Sequence, residues 1–559
     1  MIGTRTLLEE FHRGEFLDLL EFPKQDDTFQ SSASLREGTD IVQPSGVPIN
    51  EDGTAFHVDD GAFAESLRSR SSPPHFAESC VQYPSDDILS KYGLEDDCPY
   101  PATPQARALL WKYCLATAGA SWHAASLLTA NVRADVAIHW GGGRHHAHAS
   151  KAGGFCYVSD VILAIQRLLH GNDDQIDARM LRFSGEGTSC GATVAPIQQR
   201  NLSSRRILYI DIDIHHADAV QAAFYATDRV LTVSFHRHSP GFFPATSGSI
   251  SEKGEVGTSG FGYNLNVPLP AGIDDLQFIH IYRQALFGLG RVYDPHAVVL
   301  CVGADGLEGD ALISGSLGNG SVTGEGWTLS PEGLAECVRI AAAFCAGFNE
   351  VDICVSPIDK KIEEKNLSSS ERVDGPDNEH FHNVKPDKQN SGNILKLLIL
   401  GGGGYTPAQT ARTQLLCTAA ACEGARPGMF WSELPRDIPC HEYFPRYGPL
   451  FELVSEQKKK EIFASYLVEV QNEDMSNCDR QILREAGRSI ALSVMYIDHQ
   501  RRNQTPQKLT FCYDQVMEKD YEMELLDCSR HKKNSSISGG GRRRKKKKIE
   551  TLSRIHDGS

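Results

Sequence analysis

The sequence predicts an α/β protein with a mostly parallel central β-sheet flanked by helices. Three observations lead there. Short apolar or β-branched runs at 134–138, 206–214, 230–235, 297–302 and 395–400 alternate with helix-favouring stretches at 106–129, 161–169, 334–348 and 408–421. That alternation is the pattern of a parallel sheet with crossover helices. Chemically capable residues stand directly after four of the runs: His145 and His146, His215, Asp305 and Tyr405. Open parallel sheets bind ligands at the carboxyl ends of their strands. The third observation is the run 208–220, LYIDIDIHHADAV, in which Ile210, Ile212 and Ile214 alternate with Asp211, Asp213 and His215.

On a strand, residues two apart share a face. One face of 206–214 is therefore apolar and the other carries two carboxylates and an imidazole. Burying unpaired charge is very costly. A divalent cation resolves the conflict, and oxygen plus imidazole ligands suit Zn²⁺ or another first-row metal. A surface strand with outward polar residues is the plainer alternative. The buried character of Leu208, Tyr209 and the isoleucines speaks against it.

In chain order, 7–20 has the pattern of a short amphipathic helical region. Residues 24–85, 171–204 and 356–393 are polar or charged and are expected to be long disordered insertions. Periodicity weakens after Leu453. Residues 454–559 are expected to form a weakly ordered C-terminal extension with local helices, ending in a basic run at 542–548. Everything from 1 to 453 then belongs to one domain.

The 559 residues are 40% hydrophobic, which allows a full core, and 56 Lys+Arg against 72 Asp+Glu give a net charge of −16. Such a chain has no overall basic field for nucleic acid, so no direct nucleic-acid readout is expected. Its 15 Cys include no C-x-x-C pair, which suits a reducing compartment better than a disulfide framework. No apolar run reaches the ~18 residues of a membrane span and no signal peptide opens the chain. A soluble, intracellular protein with no membrane partner is expected.

Asp213 and His215 supply two metal ligands, and a catalytic zinc usually takes three from the protein. Asp305, after a buried run and between Ala304 and Gly306, is the best third, although alone it would pass for a turn residue. His145 and His146 follow Gly141, Gly142 and Gly143. One imidazole can take a proton from water while the other stabilises charge or donates a proton. Asp211 and Asp218 are candidates to fix their tautomers. Tyr405 follows four glycines, where a phenol could hydrogen-bond a developing oxyanion. The glycines lack both the Lys-Ser/Thr of a phosphate loop and the dinucleotide spacing.

Five segments in order, GGGRHHAHASKAGGFCYVSD, YIDIDIHHADAV, SFHRHSPGFFPATSG, GADGLEGD and LGGGGYTPAQTAR, together resemble the class I zinc-dependent histone deacetylases of the arginase/deacetylase superfamily. SPGFFP and IPCHEYFPRYGP are similar to the branch that works without obligate corepressor subunits. The resemblance spans about 7–453 and implies a single arginase/deacetylase-type catalytic domain. It implies Zn²⁺, or Fe²⁺ in its place, on Asp213, His215 and Asp305. His146 would be the general base with His145 as its partner, Asp211 and Asp218 would support them, and Tyr405 would polarise the substrate carbonyl. Asp97 would hold the substrate backbone, and Gly154, Phe155 and Phe243 would line a channel for the acyl-lysine stem. Structural K⁺ would sit on Asp211, Asp213, His215, Ser234 and Phe235, and a second on Phe224, Thr227, Val230 and Tyr263.

The chain departs from the family pattern at Ala217 and Ala245, where glycines are usual. It also lacks the strand, helix and Arg that the family places before the segment matching Leu7. From this an upstream start of the reading frame is expected, and Met1–Ser559 alone should express poorly or be inactive.

The resemblance implies hydrolysis of N6-acetyl-lysine in histone tails or other proteins, with transcriptional repression and a corepressor complex as context. The basic run would direct the chain to the nucleus, with the cytoplasm as a second compartment. Rival readings are a ureohydrolase, which needs a second metal with only Asp310 nearby to supply a ligand, a deacetylase of small acetylated amines, and a catalytically weak scaffold.

Overall fold

The computed structural model describes residues 3–21, 83–129, 134–171, 205–313, 326–350, 395–427, 434–448, 451–465 and 477–502. Almost all of the three expected insertions, and the whole basic run 542–548, lie outside the described residues. The compact body is Met1–Asp498, and of His499–Ser559 only residues 499–502 are described.

Six strands form one sheet in the order β1-β6-β5-β2-β3-β4, every pair parallel. They are β1 Val136–His139, β2 Ile207–Asp211, β3 Val230–Arg237, β4 Asn264–Leu269, β5 Ala297–Cys301 and β6 Lys396–Leu400. The fold is thus the expected α/β arrangement, one parallel sheet flanked by helices. β2 and β5 are fully buried, as a sheet covered on both faces requires. One face packs against Pro104–Thr129 and Asp160–His170 through Ala125, Leu128, Ile162, Ile165, Tyr209, Val299 and Leu398. Pro331–Cys345 and Pro407–Ala425 pack on one another, and the first of these also touches β6. Successive strands run outward from β2 to β4 and then return on its other side at β5. The reversal leaves a crevice beyond the carboxyl ends of β2 and β5.

Three expectations change. First, β2 stops at Asp211, short of the expected end at 214. The next amides turn to the chain's own carboxylates: Asp213 N donates to Asp211 Oδ1 at 2.9 Å and His215 N to Asp213 Oδ1 at 2.8 Å. Asp213 and His215 therefore sit on a loop beyond the strand. Ile212 and Ile214 still face the interior, fully buried.

Second, the region 7–20 is two helices, Arg5–Leu8 and Gly14–Glu21. The link between them is tied elsewhere, with Arg13 N on Ala149 O at 2.7 Å and Ser159 N on His12 Nε2 at 3.0 Å. Leu7, Leu8, Phe16, Leu17 and Leu20 close a small core with Leu89, Tyr92, Trp111 and Val158. Third, β4 and the helices Asp218–Phe224 and Asp275–Tyr293 were not anticipated.

Ala217 has φ −75°, a region open to any residue, and Ala245 is not among the positive-φ positions. Neither departure from glycine strains the backbone. Beyond Leu453 the described residues form the helices Glu456–Ser465 and Asn477–Arg501. No helix among the described residues is long and apolar enough to cross a membrane.

Candidate active site

Four loops meet at the carboxyl end of the sheet, and glycine lets them touch. Gly143 has φ +93°, and a Cβ there would fall 2.0 Å from Gly401 O. A Cβ on Gly403 would fall 2.0 Å from Asp305 Oδ2. Side chains at these two positions would force the β1, β5 and β6 loops apart.

Asp213, His215 and Asp305 are buried and present ligand atoms within 4.8 Å of one another. His215 Nδ1 lies 3.1 Å from Asp213 Oδ1 and 3.0 Å from Asp305 Oδ2. Burial opposes a charged imidazole, yet hydrogen bonds and charge from the two aspartates push His215 up to about 10. Burial and the charge of Asp213 raise Asp305 to about 6. The structure thus keeps a positive charge between two buried carboxylates. A divalent cation with oxygen and nitrogen ligands meets the same demand, so the donor set fits the metal that the sequence implies. The second Asp213 oxygen is held by Gly403 N at 2.7 Å, and Ile214 N reaches Asp305 Oδ1 at 3.3 Å.

His145 and His146 lie beside this cluster, their ring centroids 3.9 Å apart. His145 Nδ1 is 2.7 Å from Asp211 Oδ2, and His146 Nδ1 is 2.7 Å from Asp218 Oδ1. Their environments separate them. Against the cost of burial, Asp211 and Asp213 push His145 up to about 9. Burial and the neighbouring charge of His145 push His146 down to about 3. One imidazole is thereby charged and the other neutral.

Tyr405 is fixed through its backbone, whose N–H donates to Asp310 Oδ2 at 2.7 Å. Burial and the charges of Asp305 and Asp213 hold its phenol well above the usual range, so it stays protonated. Asp310 also receives Leu312 N at 3.0 Å, and among the described residues it joins no metal-ligating group. Sequence reasoning noticed Asp310 only as a rival's ligand. Its spacing from Tyr405 gave no hint of this support.

At the rim, Phe243 packs edge-on against His146 at 4.9 Å and Phe155 against Tyr405 at 5.6 Å. Both rings are about two-fifths exposed. Phe242, which sequence reasoning passed over, stacks on His215 at 5.4 Å. Gly154 has φ +54°, and a Cβ on it would meet His146 Cδ2 at 2.4 Å. Asp97 Oδ2 accepts Gly154 N at 2.7 Å. Asp97 therefore steadies the rim loop.

Asp211 and Ser234 are register partners across β2 and β3, and Phe235 is buried next to Ser234 on β3. Phe224, Thr227 and Val230 follow one another into β3, where Thr227 N donates to Phe224 O at 3.2 Å. Tyr263 O accepts Thr232 N at 3.1 Å on the neighbouring strand.

A parallel α/β domain with an Asp/His/Asp cluster at its strand ends is the arrangement expected of the arginase/deacetylase class. The sequence profile of the histone deacetylase domain matches residues 3–177 and 190–356, and the chain belongs to that family. It is 32% identical over 365 residues to "Histone deacetylase 9" of Arabidopsis thaliana, covering 65% of this chain and 60% of that protein. It is 31% identical over 367 residues to "Histone deacetylase B" of Dictyostelium discoideum, covering 66% and 60%. To "Histone deacetylase 1" of Homo sapiens it is 30% identical over 404 residues, covering 72% and 58%. The chain thus spans about three-fifths of the length of these relatives. The profile match ends before Tyr405, which enters the site through geometry.

Proposed function

We propose that the protein is a zinc-dependent deacetylase that hydrolyses the acetyl amide of N6-acetyl-lysine in proteins, histone tails among them. The observation that carries this reading is the buried Asp213–His215–Asp305 cluster beside His145 and His146, each held by its own aspartate at 2.7 Å. When bound there, a zinc ion would polarise a carbonyl and acidify water. Fe²⁺ would suit the same ligands.

The chain's own groups supply the rest. The Asp218 carboxylate can only accept, so His146 carries its proton on Nδ1 and leaves Nε2 free to take one from the attacking water. His145, held by Asp211 at 2.7 Å, would return a proton to the departing lysine amine. Tyr405 donates its phenolic proton in a hydrogen bond to the developing oxyanion. Phe155 and Phe243 suit an uncharged acyl-lysine stem, and the free oxygen of Asp97 suits a peptide N–H.

K⁺ at Asp211, Asp213, His215, Ser234 and Phe235, and at Phe224, Thr227, Val230 and Tyr263, is part of the same proposal. So are a corepressor complex and nuclear residence directed by 542–548. A reporter fused to 532–559 that stayed cytoplasmic would count against the import signal. The function itself is tested by turnover of an acetyl-lysine peptide with and without a chelator. Activity that survives chelation, or none with zinc supplied, would reject it.

A further inference from the structure

Arg144 stands between Gly143 and His145, and its side chain has no part in the chemistry derived above. Its Nε is sealed from solvent and has no hydrogen-bond partner among the described residues. Nor do those residues give its guanidinium an ion pair. A guanidinium has five donors in a planar fork and is always charged, and a sealed donor left without a partner is costly.

The nearest carboxylate, Asp160, favours the charge from a distance but forms no ion pair with the guanidinium among the described residues. Asp160 Oδ1 takes the backbone N–H of Arg144 itself at 2.8 Å. Asp160 Oδ2 takes Gly143 N at 3.0 Å and the Ser121 hydroxyl. Both oxygens thus hold the glycine loop in place. The guanidinium also helps to lower the pKa of His139, and it lies within electrostatic reach of Tyr113, Cys156 and Tyr405. All three are neutral when protonated, and Tyr405 is the proposed oxyanion donor. A cation whose Nε has no hydrogen-bond partner among the described residues therefore lies within electrostatic reach of Tyr405, the proposed oxyanion donor.

We propose that Arg144 is a specificity-determining residue, a carboxylate-binding subsite that accepts the terminal carboxylate of a dicarboxylic acyl group, such as succinyl, on lysine. This rests on the deacetylase reading and extends it to acidic acyl groups. Arg and carboxylate pair through two parallel charge-assisted hydrogen bonds, one of which would use the unpartnered Nε. The reaction balances as an ordinary hydrolysis. The amide C–N bond breaks, the water oxygen joins the acyl carbon, and the amine leaves protonated together with a dicarboxylate.

The test compares peptides bearing N6-succinyl-lysine with its neutral counterpart, in which the terminal carboxylate is a carboxamide. Purified full-length chain, Arg144→Gln and Arg144→Lys are assayed side by side, with melting temperatures to confirm folding. The wild type should prefer the succinyl peptide in kcat/KM. Arg144→Gln should lower the succinyl-to-amide ratio at least tenfold, and Arg144→Lys should restore part of it. An unchanged ratio overturns the proposal. So does a change confined to inhibition by free acetate, which would make Arg144 a product site. Absence of acetyl-lysine turnover in the wild type would sink the parent reading alone. Binding of the succinyl peptide, followed by fluorescence anisotropy, would still decide the role of Arg144: at least tenfold weaker binding by Arg144→Gln supports it and equal binding overturns it.

Discussion

His146 Nδ1 lies 2.7 Å from Asp218 Oδ1, while the same carboxylate's Oδ2 is 3.2 Å from His148 Nε2. Asp218 opens the helix Asp218–Phe224, so the orientation of the neutral histidine is set by the start of a regular element. Asp218→Asn should lower kcat at least ~10-fold by allowing the wrong tautomer, with less effect on KM. Unchanged kcat across pH would show that the carboxylate does not govern His146.

The metal-ligand set gives a second expectation. Asp213→Ala or Asp305→Ala removes one of the three proposed ligands and should abolish tight metal binding together with activity. Metal content of the purified variants checks the point independently of turnover. Stoichiometric zinc and normal rates in either variant would exclude the assignment.

Tyr405→Phe keeps the ring against Phe155 and the backbone bond to Asp310, and removes only the donor. The expected loss is about 10²–10³ in kcat with little change in melting temperature. A loss below about threefold would make Tyr405 a packing residue.

The parallel sheet was legible because β2 and β5 are continuous apolar runs, as burial on both faces demands. The chemical loops were legible because a polar cluster directly after such a run has few structural excuses. β4 was hidden because NLNVPL mixes two asparagines and a proline into an edge strand. Asn264 and Asn266 are buried there, their amides donating to Gln221 Oε1 at 2.8 Å. The helix Asp275–Tyr293 announces itself locally by a capping box, Asp274 with Gln277, but its two glycines, histidine and arginines blur the apolar stripe. The early end of β2 could not be read at all, since it depends on which acceptors Asp211 and Asp213 offer their own amides.

The last prediction concerns stability and uses two residues outside the site. His12 is 3% exposed, and its Nε2 must be unprotonated to accept Ser159 N. Burial lowers its pKa from 6.5 to about 4, against a smaller pull from the Ala149 and His148 carbonyls. Above pH 6.5 the residue is neutral whether folded or not. Between 6.5 and 4 the unfolded chain binds the proton and the folded one does not, so stability falls as pH falls, by about 3 kcal/mol in all. Glu10 acts in the opposite sense. Burial raises it from 4.5 to about 7, partly offset by Arg167, so the folded chain binds that proton first and stability rises as pH falls from about 7 to 4.5. In the wild type the two slopes partly cancel. Glu10→Gln should therefore steepen the fall of the melting temperature from pH 6.5 to 4, whereas His12→Gln should flatten or reverse it. The slopes, not the absolute melting temperatures, carry the comparison, because either substitution also disturbs packing. Parallel profiles for the wild type and both variants would show that neither group titrates differently on folding.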